Sequence, residues 1–147
     1  VGNGSTSGAT VICGDGVTLS SATIDIAGGT LTLNSATTSS SDIDISGSGT
    51  LYCYGTGGHI NIDVQKGTCY YRTSGTLATL AVQANGTFDK AGDLRSATIT
   101  NLVNLYKGAT LNDPHGTLTL SGGFKVNGGT LADVTVDLGV NRTHTVS

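Results

Sequence analysis

Along most of the chain an aliphatic, a polar and an aliphatic residue are followed, after a short polar stretch, by Gly-Thr and a large apolar residue. Residues 41–71 contain the phrase twice, as Ile43-Asp44-Ile45 with Gly49-Thr50-Leu51 and as Ile62-Asp63-Val64 with Gly67-Thr68-Cys69. Alternation of this kind is that of a half-buried strand, and the glycine marks a turn into the next one. Upstream stand Ile24-Asp25-Ile26 and Gly29-Thr30-Leu31. Downstream the triplets are Leu80-Ala81-Val82, Val103-Asn104-Leu105 and Phe124-Lys125-Val126, followed by Gly86, Gly108 and Gly129. Successive turn glycines are 20, 18, 19, 22 and 21 residues apart. A period of about 20 residues is the mark of a solenoid, in which each repeat rests on its neighbours.

The spacing predicts an all-β, single-chain β-solenoid, a roughly triangular β-helix of about six coils. Aligning the coils by their glycines places Ile26, Ile45, Val64, Val82, Leu105 and Val126 in one inward ladder. Leu31, Leu51, Cys69, Phe88, Leu111 and Leu131 form a second. A third face is visible as Ala97-Thr98-Ile99-Thr100, Thr117-Leu118-Thr119-Leu120 and Val134-Thr135-Val136. At about 4.8 Å per coil, six coils make a rod roughly 30 Å long. Residues 1–9 read as a flexible linker or lead-in and 10–147 as the solenoid domain, part of a longer chain or assembly. Thr10 to Cys13 and Val17 to Leu19 supply a first, incomplete coil. Pro114 cannot donate to a ladder, so Asn112 to Gly116 reads as a corner. The polar run Asp89 to Arg95 is expected to bulge from the rod. Val140 to Ser147 brings no charged edge or capping helix, and such an end invites further chain or a docked partner.

Composition strengthens the all-β reading. The chain has 23 Gly, one Pro, no Met and no Trp, only 12% charged residues, and no glutamate. With so few of the best exposed helix formers, no segment shows an amphipathic helix. A formal charge of −3 with seven scattered basic residues gives no cationic footprint for nucleic acid. No apolar run approaches the ~20 residues needed to span a bilayer. No initiator Met or signal peptide is present, which places Val1 after a preceding or processed segment. Cys13, Cys53 and Cys69 match no zinc or redox spacing. Cys69 occupies a ladder position held elsewhere by leucine, as a buried thiol would. Cys53 lies two places further along its own segment, out of line with Cys69, although a bridge between them stays open.

Two groups of residues carry candidate chemistry. Asp25, Asp44 and Asp63 stand at the middle of successive triplets, 19 residues apart, and are expected as an outward column of carboxylates ~5 Å apart. Such a row could recruit calcium or serve glycoside hydrolysis, and it also simply keeps a β face wet. The column gives way to Ala81, Asn104 and Lys125, and no GGxGxD calcium repeat occurs. Tyr52, Tyr54 and Tyr70, with Tyr71 beside them, form the second group. Tyr52 and Tyr70 hold equivalent positions and are expected to stack, as a glycan-binding face or as a cross-strand brace. His59, His115 and His144 fall at unrelated places in the repeat. Asn85-Gly86-Thr87 and Asn141-Arg142-Thr143 match the glycosylation acceptor pattern, which a threonine-rich chain also produces by chance.

The iterated "T-L-x-V-x-x-G-T" coils, the coil ATITNLVNLYKGAT and the segment NGGTLADVTVDLG resemble the repetitive β-solenoid virion proteins of tailed bacteriophages, including marine ones. The resemblance spans roughly residues 41 to 140 and rests on coil-forming positions, so it assigns no catalytic residue. It implies a non-enzymatic structural role at the virion surface, as a head fibre, capsid-attached decoration protein or tail-associated fibre. Its expected partners are other virion proteins and copies of itself, with no nucleic acid and no membrane insertion. The alternative expectation is an extracellular adhesin or receptor-binding fibre that holds host-surface glycan on the tyrosine face or the aspartate column, with calcium as its one candidate cofactor. A β-helix polysaccharide lyase or hydrolase is the third.

Overall fold

A computed structural model describes residues 8–20, 23–34, 38–115, 117–132 and 144–146. Val134-Thr135-Val136, the second glycosylation match and residues 1–7 of the expected linker lie outside them. Fourteen strands follow in order: β1 (Ala9–Cys13), β2 (Thr18–Leu19), β3 (Thr23–Leu33), β4 (Thr38–Gly55), β5 (His59–Val64), β6 (Gly67–Thr73), β7 (Thr76–Val82), β8 (Gly86–Asp89), β9 (Ala97–Tyr106), β10 (Thr110–Asn112), β11 (Leu118–Leu120), β12 (Gly123–Asn127), β13 (Thr130–Ala132) and β14 (His144–Val146). Every strand pairing is parallel. The chain forms a β-solenoid of about six coils. Each coil contributes one short segment to each of three faces, and long strands such as β3 and β4 turn a corner and serve two.

On the first face the register runs Ile26, Ile45, Val64, Val82, Leu105, Val126 and then Val146. On the second it runs Val11, Leu31, Leu51, Cys69, Phe88, Leu111 and Leu131. Both ladders therefore form as the alternation predicts, and β14 extends the first by one coil toward the end that the sequence left without a charged edge or capping helix. On the third face Leu19 is followed by Ser39, His59, Leu77, Ile99 and Leu120. The sequence reading found the Ile99 and Leu120 end of this ladder and missed the rest, where Ser39 and His59 are polar.

The corner between the first two faces explains the glycines. A Cβ on Gly49 would stand 1.9 Å from Ile26 O, and one on Gly67, where φ is +96°, would stand 2.4 Å from Gly49 O. The stacked coils leave no space for a side chain. One alignment shifts, however: register matches Gly86 to Ala109 rather than to Gly108, because Thr87 pairs with Thr110 and Thr110 with Thr130. The buried methyl of Ala109 fills that corner.

The expected bulge at Asp89 to Arg95 is the main correction. Lys90 and Asp93 turn inward and are buried, whereas Gly92, Leu94 and Arg95 stay exposed. Arg95 folds the loop back across the rod: its Nη1 donates to Gly55 O at 3.0 Å and its Nη2 to Arg72 O, which belong to the two preceding coils. Five donors on one planar fork let a single side chain tie three coils together. Asn112 to His115 forms the expected corner, with Pro114 and His115 exposed and Asp113 buried.

Candidate functional site

Alternation sends the middle residue of each triplet outward, and parallel pairing sets equal positions of successive coils side by side. Asp25, Asp44 and Asp63 are accordingly direct register neighbours on the outer first face. Beyond them the column passes through Ala81, Asn104 and Lys125. A second outward column lies two residues upstream: Thr23, Asp42, Asn61 and Thr79. Sequence reading missed it, although the same period of two that picked out Asp44 also marks Asp42. The two columns enclose a groove of about 230 Å³ lined by Thr23, Asp42, Asp44, Asn61, Asp63 and Thr79 among others. Its depth comes from shape: the short Ala81 and Thr79 follow the longer Asp63 and Asn61, so the wall drops away.

Most of these carboxylates hold a donor from a neighbouring coil. Ser46 Oγ donates to Asp25 Oδ1 at 2.8 Å, and Asn61 Nδ2 to Asp42 Oδ1 at 2.5 Å. Gln83 Nε2 donates to both oxygens of Asp63 at 3.1 and 2.8 Å. Asp44, in the centre, accepts no hydrogen bond among the described residues. Partial burial, reinforced by Asp63, Asp25 and Asp42, pushes its carboxyl above the ordinary aspartate value. Burial also raises Asp63, against the lowering effect of Gln83 and Gln65. A raised carboxyl beside carboxylates keeps its proton to higher pH than an ordinary aspartate. For calcium the geometry is less favourable. The three aspartates stand in a row, and among the described residues no group of three His, Cys or Asp side chains is arranged to hold a metal ion.

The tyrosines lie on the second face. Tyr52 and Tyr70 are register partners, with ring centroids 4.8 Å apart and planes 12° from parallel. Tyr54 stacks on Tyr52 at 6.0 Å and 3°. The expected stack therefore forms, and it engages Tyr52 with both neighbours. Arg72 lies 5.5 Å from the Tyr70 centroid and 3.7 Å from Asp89. The rings thus brace two adjoining strands, β4 and β6, which leaves their edges, and the half-exposed Tyr54, as what a ligand would meet. Tyr71 is separate, buried in the interior against Phe88 at 5.2 Å.

Cys53 and Cys69 are buried free thiols, and Cys13 is a partly exposed one. Cys69 pairs with Leu51 and Cys53 with Tyr71, so the two cysteines sit on a diagonal with Cα atoms about 8 Å apart, beyond disulfide reach. They titrate as a pair. Burial opposes ionisation of both, but contacts with Cys69 and then His59 pull Cys53 down, while burial and Cys53 push Cys69 up. His59 is buried and its Nδ1 has no hydrogen-bond partner, whereas His115 is exposed at the Pro114 corner. The side chain of His144 lies outside the described set.

Comparison with protein-family models, with curated proteins and with solved structures found no match. Among the described residues no helix is long and apolar enough to cross a membrane.

Proposed function

We propose that this protein is a non-enzymatic structural rod, a β-helical fibre or decoration protein at the surface of a phage virion, with other virion proteins and copies of itself as partners. One observation carries the structural reading: the parallel register runs from β1 through β14, and the outward polar groups hydrogen-bond from coil to coil. A surface that satisfies itself along the rod axis is suited to spanning distance. The virion assignment draws on the resemblance of the coil phrases to phage β-solenoid proteins. Imaging of the native particle at side-chain resolution tests it. Density for this chain at symmetric positions on a phage head or tail supports the reading; a location free in medium or on a cell surface overturns it.

The groove beside Asp44 favours a second reading, a glycan-holding adhesin or receptor-binding fibre. Carboxylates, an amide and threonine hydroxyls around a 230 Å³ concavity offer the acceptors and donors that sugar hydroxyls need. A glycan array distinguishes the two, since binding lost in Asp44→Asn places a ligand in the groove and a blank array supports the plain rod. Cleavage of a bound polysaccharide that stops in the same variant would move the protein to the lyase or hydrolase class.

A further inference from the structure

The last inward column of the second face changes chemistry as it climbs. Leu33, Cys53 and Tyr71 are register partners. Asp89 pairs with Asn112, and the Lys90 amide donates to Asn112 O at 2.8 Å, so Lys90 and Asp113 are adjacent rungs. Both are fully buried. Their Cα atoms stand about 4.8 Å apart, well within the reach of a lysine side chain. Lys90 Nζ makes no hydrogen bond and lies 3.6 Å from Asp93 Oδ2. An ammonium sealed away without hydrogen bonds is costly to bury, and nothing in the coil architecture requires lysine there.

The surrounding groups divide into three roles. Asp93 is fixed by Arg95, whose Nε and backbone N–H donate to Oδ1 at 2.9 and 3.0 Å. Burial would raise Asp93, but these bonds together with Lys90 hold it below the ordinary value, so it stands as a carboxylate beside the ammonium. Burial lowers Lys90 against the opposing pull of Asp93 and Asp113, which eases loss of that proton. The Asp113 carboxyl accepts the Leu118 N–H at Oδ2, 2.6 Å, and the Thr117 hydroxyl at Oδ1, 3.2 Å. Such donors also stabilise the oxygen of a tetrahedral intermediate.

We propose that Lys90 Nζ and Asp113 Cγ join in a side-chain amide, a covalent cross-link between neighbouring coils inside the rod. The ammonium passes one proton through Asp93 to a carboxyl oxygen of Asp113, and the neutral amine attacks Cγ. A C–N bond forms, the charge on oxygen rests on the Leu118 N–H, and the C–OH bond breaks. The hydroxyl leaves with the second nitrogen proton as water. Ammonium and carboxylate become amide and water, with no oxidant or co-reactant. Bulk water opposes this condensation, but a dry interior that sets both residues on adjacent buried rungs favours it. The product carries neither of the buried charges.

Intact mass of the folded, purified chain reads the outcome directly. The expected mass is about 18 Da, one water, below that of the sequence, with a digest yielding one branched peptide through Lys90 and Asp113. Lys90→Met and Asp113→Ala are expected to show full mass, and Asp113→Asn a loss of about 17 Da, one ammonia. Asp93→Asn is expected to slow formation without abolishing the product. Full sequence mass in the wild-type chain overturns the proposal, and so does a branch mapped to Lys90 and Asp93. Because the wild type alone decides, a variant that fails to fold leaves the test intact.

Discussion

Two inward columns of the rod share one geometry and differ in content. Beneath the acidic face, Ile26, Ile45, Val64, Val82, Leu105 and Val126 are all aliphatic, and each is the register partner of the next. At the far side of the second face, Leu33, Cys53, Tyr71, Lys90 and Asp113 occupy equally buried rungs with five different chemistries. The first column needs only matched volume. Each polar member of the second needs a partner of its own: Gly75 O for the Tyr71 hydroxyl, Asp93 for Lys90, the Leu118 amide for Asp113. A parallel ladder therefore dictates where a side chain goes and leaves open what it must be, provided its polar atoms are met.

The sharpest way to break this contrast is to place a charge in the uniform column. Ile45→Asp puts a carboxylate among aliphatic neighbours with no donor in reach, and the domain is expected to lose more than about 4 kcal/mol or fail to fold, as read by denaturant titration. Removing volume there is milder. Val64→Ala should cost about 2 to 3 kcal/mol, since the fixed coil spacing prevents the cavity from closing. In the mixed column volume is the lesser concern. Tyr71→Phe keeps the ring against Phe88 and leaves Gly75 O without its 3.2 Å donor, for an expected loss of about 1 to 2 kcal/mol.

The pH dependence separates the interior from the outer face by sign. Asp93 is held below its unfolded value, so its contribution is present above the ordinary aspartate range and lost as pH falls through the lower folded value. Arg95→Ala removes the side-chain donors that hold it and keeps the backbone one, and should cost about 1 kcal/mol near pH 7 with the deficit shrinking in acid. Asp44 is raised, so its contribution is fully present below the unfolded value and lost as pH rises through the higher folded one. Asp44→Asn should therefore stabilise the rod slightly at pH 7, by about 0.5 kcal/mol, and do nothing below the aspartate range. Melting curves across pH measure both, and equal slopes for the two variants would sink the distinction.

The fold was readable because its signals are local. An alternation of two and a glycine at each corner repeat with little variation, so the Asp25-Asp44-Asp63 column and the Tyr52-Tyr70 stack follow from counting residues. The third-face ladder was not readable through Ser39 and His59, whose polarity hid their inward positions. Nor was the groove, which depends on Ala81 and Thr79 being short beside Asp63 and Asn61. The loop from Asp89 to Arg95 misled for a related reason: a run of charges is ordinarily solvated, and only contacts with distant coils turn it inward.

By itself the chain determined the coil, most of its register and which aliphatic residues face in, because a strand alternates its side chains and a coil stacks only where glycine or a small residue lets backbones meet. Only the tertiary structure decided how the polar residues are spent. Arg95 reaches Gly55 across 40 residues, and Asn112 donates to Asp89 from one coil on. Closing each turn of the solenoid brings together groups whose pairing depends on side-chain reach and exclusion of water, which no local period records.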